Sequence, residues 1–115
     1  MQLKEIFEFK DLKNYCNRKT KYSNNSNNSG SINFEIFASP IEYYGVDIKG
    51  VIKSYDTPIG YILSNSLIIM KYQGSKMFSV TTDNILRILS KNIKALPREN
   101  IAIVAKTLDL KMGWL

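Results

Sequence analysis

Histidine is absent from these 115 residues, and cysteine occurs once, at Cys16. The first absence removes the commonest general base, the commonest metal ligand and every Ser-His or Cys-His nucleophile arrangement. The second excludes a disulfide within the chain and any cysteine-built metal cluster, so Cys16 reads as a small buried apolar residue on a helix. Glycine is sparse: six are scattered with no GxGxxG or GxxxxGK spacing, and no loop is built to cradle nucleotide phosphates. Long apolar runs are missing too. A bilayer span needs about 18 apolar residues, and the most apolar stretch, 61–70, is broken by Ser64, Asn65 and Ser66. Met1-Gln2-Leu3-Lys4-Glu5 leads into alternating charge instead of an apolar signal core, so a cytoplasmic location is expected. No cofactor and no metal are expected, and the chain reads as a non-enzyme.

What is present is a globular composition, 44% hydrophobic and 23% charged, on a length that suits one domain spanning 1–115. Sixteen Lys and Arg against ten Asp and Glu leave a net charge of +6, which favours an anionic partner. Arginine is found only at Arg18, Arg87 and Arg98, and the chain is rich in Lys, Asn and Ile. AT-rich coding produces that bias by itself, so the same charge reads equally well as solubilising.

Residues 2–18 place Leu3, Ile6, Phe7, Leu12, Tyr15 and Cys16 on a helical stripe that Phe9 interrupts. Residues 20–31 are mostly Asn, Ser and Gly, too polar to offset their ordering entropy, and read as a flexible loop. From Ile32 the period becomes that of strands, expected at 32–38, 47–55, 59–64, 67–72 and 76–81. Thr82-Asp83-Asn84 offers cap chemistry before Ile85, Leu86, Ile88, Leu89, Ile93 and Leu96, a stripe at helical spacing. Pro97 opens a second helix with Ile101, Val104, Ala105 and Leu108 on one face, and Gly113 marks its exit. Trp114 and Leu115 are expected to dock on the chain's own core, with a partner or dimer surface as the alternative. The fold class is therefore α+β: an N-terminal helix, a small antiparallel sheet of four or five strands, and two C-terminal helices packed on one face.

Two surfaces carry candidate binding residues. Opposite the apolar stripe of the Ile85 helix stand Arg87, Lys91 and Lys94, with Arg98 just beyond, a basic ridge able to neutralise phosphates or an acidic protein surface. In the strand over 47–55, alternation puts Lys49, Val51, Lys53 and Tyr55 on one face, the pairing of cation and aromatic that single-stranded nucleic-acid binders use. Either set is also what a Lys-rich solvated surface looks like. A third pattern, Glu35 followed by Asp47-Ile48-Lys49, has the acid and acid-x-Lys form of metal-dependent nucleases. Its first acid lacks the usual Pro-Asp entry, and chance accounts for so short a motif.

The segment Ser54-Tyr55-Asp56-Thr57-Pro58-Ile59, with Phe78-Ser79-Val80-Thr81-Thr82 running into a helix, resembles small uncharacterised phage and mobile-element proteins. These carry a "SYxTPI" strand and a "YSVTT" strand at the centre of a little sheet. Phe78 stands where the resemblance has Tyr, and the His early in the following helix is missing. What the resemblance implies is a setting: stoichiometric occlusion of a host protein or nucleoprotein complex, as anti-CRISPR and other anti-defence inhibitors do. Direct nucleic-acid binding is the alternative, and no membrane partner is implied.

Overall fold

A computed structural model describes residues 2–19, 32–55, 57–64, 66–74 and 78–96. The loop over 20–31, the second C-terminal helix after Pro97 and the docking of Trp114 and Leu115 lie outside the described residues. Among the described residues, no helix is long and apolar enough to cross a membrane.

The amino-terminal segment is not one helix. A 3₁₀ turn at Leu3–Glu5 is followed by extended Ile6, and α1 begins only at Phe9 and runs to Lys19. Asp11 ends the break by accepting the N–H groups of Phe7 and Glu8 at 3.0 and 3.1 Å, as an acid in a first helical turn does. Restarting at residue 9 changes the phase of the stripe. Phe9 now lies in line with buried Leu12 and Cys16 and meets Phe34 edge-to-face at 5.4 Å, whereas Phe7 is left 59% exposed.

Five strands follow the spatial order β1-β2-β3-β4-β5. They are β1 (Ile32–Tyr43), β2 (Val46–Ser54), β3 (Thr57–Ile62), β4 (Leu67–Met70) and β5 (Lys94–Leu96). All neighbours are antiparallel except β4 and β5, which are parallel and joined through α2 (Val80–Asn92). Expected strand 76–81 is not formed over its described part: Phe78 and Ser79 lie outside any strand and Val80 and Thr81 are helical, because Ser79 caps α2 by accepting the N–H of Thr82 at 3.2 Å. The other end of that helix moves as well. Ile93 is extended, and Leu96, held out of the α region by the proline after it, joins the sheet instead.

β1 runs five residues beyond its expected end, through Pro40. A proline is tolerated there because, among the described residues, β1 is an edge strand whose outer N–H groups join no ladder, and the pairing with β2 shifts register between Ile36 and Ile41. Tyr44 and Gly45, at φ 51° and 81°, make the two-residue turn into β2, both central residues left-handed as a type I′ hairpin requires.

Both helices lie on one face of the sheet. Ile52, Gly60 and Ile69 stand in register on that face, with Phe34 against α1 and Ser54 against α2. Gly60 is obligatory here: a Cβ would strike the Ile68 carbonyl oxygen and come within 2.7 Å of the Ile69 side chain. The core is mostly aliphatic, with Ile6, Leu12, Ile52, Ile59, Ile62, Ile69, Leu86 and Leu89 all almost fully enclosed.

Candidate functional site

The expected ridge is split by the end of α2. Arg87 and Lys91 are exposed one turn apart on the helix, with the Arg87 guanidinium donating to Asn84 Oδ1 at 3.4 Å. Lys94 belongs to β5, in register with Ile68 on the sheet face away from the helices. Arg98 lies outside the described residues. In exchange the fold adds a cation that no local pattern signals. Asn92 Nδ2 donates to the Lys4 carbonyl at 2.8 Å, which brings the 3₁₀ turn and exposed Lys4 to the carboxyl end of α2. Lys4 and Lys91 thus stand near a helix end that favours positive charge, and Lys94 follows two residues beyond it on β5. Among the described residues, none of Lys4, Arg87, Lys91 and Lys94 is paired with a carboxylate.

The sheet-face candidate is corrected. Lys53 is committed to Glu35, Nζ to Oε1 at 2.6 Å, and Lys49 is half-buried. Between them Val51 is completely enclosed, and Tyr61, its cross-strand neighbour, is buried too, so this face is not an open platform. Tyr55 has left the strand altogether. It occupies the β2–β3 turn at φ 58°, its carbonyl accepting from Asn33 Nδ2 at 3.2 Å. Strict alternation fails because it assumes that one side of a small sheet stays wet.

Geometry also disperses the nuclease-like acids. Glu35 stands opposite Val51 and Asp47 opposite Glu42, four residues apart along β2, or roughly 13 Å at strand rise. Among the described residues, no group of three His, Cys, Asp or Glu side chains is placed to hold a metal ion. The thiol of Cys16 lies inside the core, 3.5 Å from the Ile32 carbonyl oxygen, and burial pushes its pKa up to about 12. A thiolate nucleophile is thereby disfavoured.

Concave surface lies elsewhere, beside the β1–β2 hairpin. A cleft of about 360 Å³ runs between Gly45, Val46 and Asp47 at the hairpin tip and Leu63, Ser64 and Ser66 of the β3–β4 turn. A second, of about 520 Å³, is lined by Glu8, Phe9, Lys10, Lys13 and the same Ser64. Sequence reasoning missed this region, although Tyr43-Tyr44-Gly45-Val46 between two strand patterns was the available signal. Comparison with known protein families, curated proteins and solved structures gives no match.

Proposed function

We propose that this is a non-enzymatic binding protein of the phage or mobile-element type, acting by stoichiometric occlusion of a host protein or nucleoprotein complex, with a CRISPR effector as one such target. A cytoplasmic site of action belongs to the same reading. The observation that supports it is the corner made by Lys4, Arg87, Lys91 and Lys94: four exposed cations on three elements, none neutralised among the described residues.

Its shape favours an acidic patch on a protein or nucleoprotein over a bare duplex. Tracking a duplex calls for cations spaced along several phosphates, and α2 offers only Arg87 and Lys91 in line. A compact corner suits a compact acidic target. Direct nucleic-acid binding remains the second reading, favoured by the net charge of +6.

Fluorescence polarisation with labelled single- and double-stranded DNA and RNA, at about 50 and 200 mM salt, separates the two. Occlusion of a protein surface predicts no tight nucleic-acid binding even at low salt. It also predicts a one-to-one complex with a member of a panel of purified effector complexes, weakened by Arg87→Glu, Lys91→Glu and Lys94→Glu together. Tight binding that collapses with salt would promote the nucleic-acid reading, and a complex indifferent to the triple reversal would remove this corner as the interface.

A further inference from the structure

We propose that this chain self-associates by reciprocal docking, Tyr44 at the hairpin tip of each copy entering the cleft lined by Phe9, Lys10 and Lys13 on the other.

Beyond Gly50, where the pairing with β3 ends, β1 and β2 continue as a two-stranded ribbon with Ile41 opposite Ile48, Glu42 opposite Asp47 and Tyr43 opposite Val46. Tyr44 crowns it at 89% exposure. Its left-handed backbone is one that Asn or Gly adopts far more cheaply than an aromatic residue, so the turn carries strain that its own hairpin does not require. The ring meets Tyr43 edge-to-face, centroids 4.7 Å apart, and otherwise projects from the tip. Exposed aromatics are what protein interfaces use as anchors.

Charge identifies the occupant of the cleft. Glu42 and Asp47 face each other across the ribbon, an unfavourable pair in isolation, and neither has a cationic partner among the described residues. In a chain of net charge +6 the tip is therefore locally negative. Its counterpart is the cleft of about 520 Å³, where Phe9 supplies an aromatic wall and Lys10 and Lys13, one turn apart on α1, supply positive charge against the single acid Glu8. An acidic aromatic knob and a basic aromatic socket are thus present on one molecule.

Placement supplies the symmetry. The two clefts meet at Ser64, so knob and socket lie side by side on one surface. A two-fold axis can then set each knob into the other copy's socket, as a closed isologous dimer demands. Val46, exposed and lining the first cleft, adds apolar surface beside the tip. Pairing through the outer edge of β1 is the rival route to a dimer, and Pro40 with its register shift blunts that edge.

Sedimentation of the full chain up to about 1 mM reads the association directly. The expected result is a reversible monomer–dimer equilibrium that weakens with salt. Tyr44→Gly should weaken it at least about thirtyfold, while its thermal midpoint stays level or rises because glycine suits the left-handed turn. Lys10→Glu with Lys13→Glu should also weaken it, and adding Glu42→Lys and Asp47→Lys should restore it. A monomer at the highest concentration, a dimer unchanged by Tyr44→Gly, or a folded quadruple variant that does not recover would each overturn the proposal.

Discussion

The hydroxyls of Ser54 and Thr82 meet at 2.9 Å inside the protein, tying the end of β2 to the first turn of α2. Ser79, the cap of that helix, donates to the same Thr82 oxygen at 3.1 Å and accepts the Thr82 N–H. Helix start, sheet end and core wall are therefore fastened by one short chain of hydroxyls.

Removing both members should cost less than the two single removals added together. Thr82→Val keeps the shape but leaves the buried Ser54 hydroxyl without this partner, an expected loss of about 1–3 kcal/mol. Ser54→Ala alone should fall in the same range, and the double variant should lose clearly less than the sum. Urea unfolding of the three variants measures the coupling. Strict additivity would mean that the two hydroxyls do not depend on each other.

Gly60 sets the tightest packing constraint in the sheet. Gly60→Ala places a methyl group against the Ile68 carbonyl oxygen, a backbone atom that cannot move without disturbing the β3–β4 ladder, and against the Ile69 side chain. An overpacking cost of about 3 kcal/mol or more is expected. The check is a lowered denaturation midpoint with an unchanged slope, which marks lost stability in place of a changed denatured state.

These two sites differ in how visible they are from sequence. Helical periodicity alone identified Ile85, Leu86 and Leu89 as the buried stripe of α2, because the phase of a stripe does not depend on where the helix begins. Its start at Ser79 was hidden by Thr82-Asp83-Asn84, an equally good cap three residues later. β5 was unreadable for a different reason: three residues are too few to show a period, and its place depends on pairing with β4. The long β1 depends on its position at an edge, which is a property of topology. At the candidate site, Arg87 and Lys91 were readable from their helical phase, whereas Lys4 reaches them through a contact 88 residues away in sequence. Tyr44 was missed because hairpin turn chemistry leads one to expect Asn-Gly, and the structure puts a tyrosine in that role.

Cys16 should make stability fall at high pH. Its folded pKa is raised from the ordinary 9.0 to about 12 by burial, so the folded state holds the proton more tightly than the unfolded chain does. The resulting stabilisation is fully present below about pH 9 and is lost as pH rises towards 12. Cys16→Ala should flatten that part of the pH profile. The native thiol should also react slowly with a disulfide reagent until denaturant is added; rapid modification of folded protein would contradict the buried position.

The two groups of basic residues should separate cleanly in binding. Lys53 is paired with Glu35 at the sheet surface, where both groups are partly solvated, so Lys53→Ala should cost no more than about 1 kcal/mol of stability. It should also leave any anionic partner's affinity unchanged, since its charge is already answered within the protein. Arg87→Glu with Lys91→Glu removes two exposed cations from the corner that Lys4 and Lys94 complete, so affinity should drop and its salt dependence should flatten. Titration of both variants against the same partner at two ionic strengths makes the comparison. Equal losses would show that long-range net charge governs binding; a loss confined to the α2 pair would show that it is the local arrangement of cations at the end of that helix.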